Sequence, residues 1–379
     1  MRTAERSDFP MGASFERVSA SWHRCRGMQL DHDLDPPLEP VTDSQLRTLL
    51  QRDARLAAVA RQELEMMSRA VADTGHVLVV IDDQGYIAAV AGDVHHAGDT
   101  LRRLRRGVDL SEASFGTTAP GTALADRQPI LVRRSDHFLT QLRQLECLAA
   151  PIFAPGGDVL GVLGVCSDQR PLLPGLVEMV QSAVLRMERQ LLRELGSPKI
   201  LRLHPHPYGL GGISEGLIAV GKDGEILGTN TIGAQLLGIT QEGAVGRSLD
   251  GFFEVSPLRL RPISNGMATL RINEGLSVAA TLVEAADLER RAVRVGRLPE
   301  GPGGAGSRRS DLRLLDRLTR REIDVLHHLD AGLSNLEIAR AMFVSEDAVK
   351  YHLKNIYAKL AVGSRLQAIA TARELKLIR

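Results

Sequence analysis

Three times after Leu318 a hydroxyl residue is followed, three positions on, by Glu or Gln: Thr319 and Glu322, Ser334 and Glu337, Ser364 and Gln367. Each pair forms a capping box. The hydroxyl accepts from a free N–H of the first helical turn, and the longer side chain accepts from the cap's own N–H. A fourth start at Ser345 lacks the box but puts Glu346 and Asp347 in the first turn, where the helix dipole favours negative charge. Gly332 stands where a helix ends. These signals predict helices at about 320–331, 335–342, 346–360 and 365–375. Only Phe343, Val344 and Ser345 separate the second from the third, and so short a turn forces a sharp angle, as in a helix-turn-helix.

On the third helix Val349, Leu353, Ile356 and Leu360 share one stripe and are expected to face the core. The opposite face carries Asp347, Tyr351, Lys354, Asn355 and Ala358, with Lys350 on its flank. A helix of this size fits the major groove with its N-terminal half nearest the bases. Lys350 and Lys354 suit phosphates or guanine edges, Asn355 a base or the backbone, Tyr351 an apolar contact, and Arg365 a phosphate. Periodicity alone fits a small helical bundle with a solvated basic face equally well.

The residues go beyond periodicity. LTRREIDVL, GLSNLEIARAMFVSEDAVKYHLKNIYAKLAVGSR and QAIATARELKLI closely resemble the LuxR-type helix-turn-helix along its whole length. That resemblance implies binding of double-stranded DNA as a dimer, through Ser345, Ala348, Lys350, Tyr351, Lys354, Asn355 and Arg365. Ala348 stands where the family usually has Thr, and Ala361 where it has Gly.

With 379 residues the chain is expected to hold two to three domains. A hydrophobic share of 44% and a charged share of 25% suit a soluble globular protein. Net charge is +1, so any DNA-attracting field is local. Aromatics at 3% argue against stacking on single strands. No apolar run reads as a membrane span or secretory signal, and a cytoplasmic location is expected. Cys25, Cys147 and Cys166 are odd in number and far apart, against a disulfide framework or a zinc site.

Gly, Pro and Ser crowd Glu300–Ser310, within a linker expected at 296–311 ahead of a DNA-binding domain at 312–379. A second break, Gly196–Gly212, separates two segments of mixed α and β pattern, placed at 1–198 and 207–295. The first begins with an amphipathic helix near Ser44–Asp73. It continues with strand runs turned by DDQG and APGGD, and closes with the helix LVEMVQSAVLRMERQLLREL. The stripe of that last helix suits either its own sheet or a second copy of itself. The middle segment repeats strand-turn-strand in GLIAVGKDGEILGTN.

SWHRC at Ser21–Cys25, SEASFGTTAPGTAL at Ser111–Leu124, His137–Phe138 and CLAAPIFAPGGDVLGVLGV at Cys147–Val165 resemble the GAF sensor domain of acetoin-catabolism-type activators. The resemblance implies an α+β sheet flanked by helices, with a small-molecule site that we place at Glu112, Thr117, Thr118, His137 and Cys147. Leu110, Thr118 and Gly164 stand where that family often has Trp, Asn and Asp, so a different ligand is expected. GLIAVGKDGEILGTNTIGAQLLGIT resembles the opening half of an α+β PAS domain, with Asn230 after its second strand. His137 and Cys147 have neither a third orienting group nor metal spacing, and His204 and His206 sit among prolines in a linker-like setting that reads as a plain loop. No catalytic residue, metal or cofactor is therefore expected.

The fold class expected is multidomain: GAF-like sensor, PAS-like domain and an all-α four-helix DNA reader. The function expected is a one-component transcription regulator, a homodimer that binds DNA, answers a small-molecule effector and acts on RNA polymerase. The alternatives are redox response through Cys147 and a GAF-type redox enzyme, the latter of which needs Cys147 and Cys166 to meet in space.

Overall fold

The computed structural model describes residues 11–259 apart from 169 and 174, residues 268–285 apart from 274, and residue 288. Toward the C-terminus it describes 320–330, 333–342 and positions 349, 352, 353, 356, 365, 368 and 372. The chain divides into two compact units, Met1–Gly296 and Arg297–Arg379.

The first unit opens with α1 (Met11–Gly27), α2 (Asp43–Arg52) and α3 (Ala54–Ala70). The single helix expected over Ser44–Asp73 is thus two, parted at Asp53. Five strands follow: β1 (Val77–Asp82), β2 (Ile87–Gly92), β3 (Ile130–Arg133), β4 (Glu146–Phe153) and β5 (Val159–Ser167). Short helices α4 (Asp99–Arg102), α5 (Glu112–Phe115) and α6 (Ala119–Asp126) lie between β2 and β3, and α7 (Leu176–Glu194) comes last. The strands form one antiparallel sheet in the order β2-β1-β5-β4-β3. DDQG and APGGD turn its two hairpins.

Because strand side chains alternate between faces, this sheet serves two cores. Val77, Val79, Ile81, Ile130, Val132, Cys147 and Ala149 face a layer that includes Val18, Phe115, Phe138 and Leu139. Leu78, Val80, Leu131, Leu148, Ile152 and Leu163 face α3 and α7. Val180, Ala183, Val184, Met187 and Leu191 of α7 are buried there, so its stripe packs on its own sheet.

A second antiparallel sheet has the order β8-β7-β6-β10-β9. Its strands are β6 (Lys199–His204), β7 (Gly216–Val220), β8 (Ile226–Thr229), β9 (Ala268–Arg271) and β10 (Ser277–Glu284), with α8 (Thr231–Leu236) and α9 (Gln241–Ala244) after β8. β6 lies inside the stretch Gly196–Gly212 read as a break, and it is the middle strand of the sheet. The apolar residues Ile200, Leu201 and Leu203 are buried on it, and so is Arg202.

In the second unit two helices, Arg320–Asp330 and Asn335–Met342, match the expected spans within a residue. Val349, Leu353, Ile356, Ala368 and Ala372 are helical and buried with Val325, Leu326, Leu329 and Ile338 in one core. Among the described residues, no helix is long and apolar enough to cross a membrane.

Candidate functional site

In the second unit, the box at Ser334 is formed. Its N–H and hydroxyl each donate to Glu337 Oε2 at 2.7 Å, and the Glu337 N–H donates to Ser334 Oγ at 3.4 Å. Val349, Leu353 and Ile356 are buried as their spacing requires. Ser345, Ala348, Lys350, Tyr351, Lys354 and Asn355 lie outside the described residues, as do the boxes at Thr319 and Ser364. Arg365 is described. Its Nη2 donates to the Leu333 carbonyl at 2.6 Å and the Leu329 carbonyl at 3.4 Å, so it ties the last helix to the end of the first and the turn beyond it.

In the first unit, the candidate ligand residues divide by what already holds them. Glu112 and Thr117 belong to a buried network that clasps α1. Arg24 donates from Nε and Nη2 to the two Glu112 oxygens at 2.6 and 2.7 Å, and lies 2.9 Å from Asp126. Ser21 Oγ donates to Glu112 Oε1 at 2.6 Å and lies 2.7 Å from Thr117 Oγ1 and 3.2 Å from Thr122 Oγ1. Hydrogen bonding and attraction by Glu112 push the Arg24 guanidinium further up. Arg17 reaches Asp126 at 3.1 Å, and Trp22 Nε1 donates to the Asp136 carbonyl at 2.8 Å. Ser21, Trp22 and Arg24 of the SWHRC segment thus hold α1 to the loops before β3 and after it.

Thr118 caps α6, its Oγ1 accepting from Gly121 N–H at 3.2 Å. Gly164, on β5, faces α6: a Cβ there would lie 3.1 Å from Pro120 Cγ and 3.1 Å from Val79 Cγ2. Leu110 is buried in the same core. Thr118 and Gly164 therefore serve the close seating of α6 on the sheet, where a larger side chain at Gly164 forces the helix outward.

His137 is fully buried. Its Nδ1 lies 3.0 Å from the Arg134 carbonyl, which assigns the proton to Nδ1. Nε2 has no hydrogen-bond partner among the described residues. Burial lowers its pKa to about 4, so the ring is neutral near pH 7. Cys147 and Cys166 stand directly opposite each other on β4 and β5. Both are free thiols, and burial pushes Cys147 well above the usual thiol range, which disfavours the reactive thiolate.

Two functional-looking carboxylates escaped the sequence reading. Glu188, on the buried stripe of α7, accepts from Thr231 N–H at 2.8 Å, Thr231 Oγ1 at 2.7 Å and Phe153 N–H at 3.4 Å. Glu215 is held by Arg189, by Arg202 Nε at 2.9 Å and by Gly211 N–H at 2.6 Å. The available signal was an acid at apolar spacing, between Val184 and Leu191.

Residues 316–372 match the family described as bacterial regulatory proteins, luxR family, and residues 46–191 match the GAF domain. The chain thus carries a GAF domain and a LuxR-type helix-turn-helix. It is 28% identical over 356 residues to an acetoin catabolism regulatory protein of Cupriavidus necator, covering 86% of this chain and 52% of that protein. It is 24% identical over 177 residues to the acetoin dehydrogenase operon transcriptional activator of Bacillus subtilis, 46% of this chain and 29% of that one. Over 57 residues it is 49% identical to the CsgBAC operon transcriptional regulatory protein of Escherichia coli, 15% of this chain and 26% of that one. The chain spans about half the length, or less, of the first two.

Proposed function

We propose that this chain, a GAF domain ahead of a LuxR-type helix-turn-helix, is a one-component regulator of transcription. It binds operator DNA as a homodimer through helix 346–360 and works by recruiting or blocking RNA polymerase. The observation that supports DNA binding is the burial of Val349, Leu353 and Ile356. Helical spacing then assigns Tyr351, Lys354 and Asn355 to the opposite face, with Lys350 on its flank. Arg365, engaged with two carbonyls, orders the domain more than it grips phosphate.

The signal enters through the GAF domain. Glu112 and Thr117 have their polar atoms committed to α1, so we assign the effector contact to His137. Its Nε2 lone pair, buried and without a hydrogen-bond partner among the described residues, suits a neutral molecule with a hydroxyl or N–H donor. Acetoin, named by two relatives, is the first probe. The middle domain, expected to be PAS-like, transmits the change. Coupling requires the effector to bind one arrangement better than the other.

The experiment is a mobility shift of the full chain on duplex fragments flanking its own gene, with and without acetoin and other small hydroxyl compounds. A productive effector raises the melting temperature of the free protein and changes its apparent DNA affinity. His137→Leu is expected to lose both responses while still binding DNA. An effector response that survives His137→Leu places the contact elsewhere.

A second reading has one observation in its favour, the facing of Cys147 and Cys166. An oxidant such as a peroxide would join them with loss of two electrons and two protons. Replacing both with Ser leaves DNA binding and the peroxide response unchanged if this reading is wrong.

A further inference from the structure

Glu188 is the one acid on the buried stripe of α7. Its carboxyl stands where three parts of the first unit meet. Phe153 ends β4 of the first sheet, Thr231 opens α8 beside the second, and α7 runs between them. The rest of this junction combines the burial of Leu192 of α7 against Ile200, Leu217 and Ala219 with close backbone contacts. Thr229 N–H donates to the Pro155 carbonyl at 3.1 Å, and Gly157, at the tip of the β4–β5 hairpin with φ +100°, abuts the backbone of Glu242 on α9. No Cβ fits there, since one on Gly157 would lie 2.4 Å from Glu242 N.

The charges around Glu188 are committed elsewhere. On α7, Arg186 holds Glu63 and Arg189 holds Glu215 with the Gly212 carbonyl. On the side of the first sheet, Arg127 donates to the Gly157 carbonyl and lies over the Phe153 ring. The acids of the facing segments are Asp158 on the hairpin and Glu242 on α9. β8 and α8 carry no titratable side chain. Among the described residues Glu188 has no ion pair, and its three donors are all neutral. A carboxylate without water or a cation is strongly disfavoured, and neutral donors offset only part of that.

We propose that Glu188 is a proton-operated latch between the first sheet and the second: protonated, it holds Phe153 and Thr231 together across α7, and ionised, it drives the junction open. Opening gives the carboxyl to water, and its proton passes to solvent. Nothing else need change chemically. The open and closed junctions are two states that an effector can bias, so the latch goes beyond the sensing role proposed for the GAF domain without depending on which ligand it takes.

Burial carries the carboxyl from 4.5 up to about 7 in the closed junction. Between those values opening releases a proton, so the opening equilibrium rises up to tenfold per pH unit and levels above about pH 7. Hydrogen exchange of the full chain, from about pH 5.5 to about pH 8.5, reads this directly. Each rate is divided by the intrinsic exchange rate at its pH. Protection of the Phe153 and Thr231 amides is expected to fall by up to tenfold per pH unit and then level, while β3 stays unchanged. Glu188→Gln, permanently neutral, flattens the profile. A flat wild-type profile, or a Glu188→Gln profile that keeps the slope, overturns the latch. Where Glu188→Gln does not fold, Thr231→Val leaves the carboxyl in place and removes one donor. Protection near pH 8 then falls several-fold further, and unchanged protection there overturns the proposal.

Discussion

Glu188 and Glu215 are buried to the same degree a few residues from one junction, yet they are satisfied in opposite ways. Glu215 is gripped by two guanidiniums and a backbone N–H. Glu188 meets only neutral donors. The adjacent residues Glu188 and Arg189 leave α7 for these two environments. One acid is matched by two cations, and the other is a carboxyl whose ionised form the fold tolerates poorly. The paired acid sits where β6 and β7 register, and the unpaired one where two sheets are joined through a helix.

The largest effect that can break this contrast comes from the paired side. Arg202→Met leaves Glu215 without one of its two cations, in a strand where Arg202 is 1% exposed. It is expected to destabilise the first unit by about 3–5 kcal/mol in urea titration, as for a buried pair broken on one side. A loss under about 1 kcal/mol means Arg189 alone suffices.

The unpaired side predicts a smaller, pH-dependent effect. The Glu188 carboxyl is held above its unfolded value of 4.5, at about 7. The stability it contributes is therefore full below pH 4.5 and is lost as pH rises to about 7. At about 1.4 kcal/mol per pH unit this caps the loss at about 3 kcal/mol. Glu188→Gln is expected to be more stable than wild type at pH 8 and to match it near pH 5, by chemical denaturation. The reverse order sinks the assignment of desolvation as the dominant cause.

In the DNA-reading unit the expected change is smaller still. Ser334→Ala removes the Oγ that accepts from the Glu337 N–H at 3.4 Å and donates to Glu337 Oε2 at 2.7 Å, and is expected to cost about 1 kcal/mol, read as a lowered melting transition.

What was legible in the chain follows the range of the interactions. The start of the helix at 335–342 is set by neighbours three residues apart, so the box at Ser334 announces it. The hairpins turned by DDQG, APGGD and KDG are equally local. β6 was hidden because Pro205, Pro207 and Gly209 follow it closely and Arg202 reads as a surface residue. Its burial depends on Glu215, thirteen positions away, and on β10, which pairs with it from the far end of the domain. The partners of the candidate ligand residues were hidden for the same reason. Nothing near Glu112 in sequence shows that Ser21 and Arg24 occupy it, whereas His137 keeps a buried Nε2 with no hydrogen-bond partner among the described residues.

The account stands on DNA binding through the face opposite the buried stripe of Val349, Leu353 and Ile356. The most direct measurement is the affinity of the full chain for duplex DNA from about 50 to about 200 mM salt, for wild type and for Lys350→Ala with Lys354→Ala. Wild-type binding is expected to weaken steeply with salt, and the double variant to bind several-fold more weakly with a log–log slope shallower by about 2. No binding at low salt, or a double variant identical to wild type in affinity and slope, contradicts it.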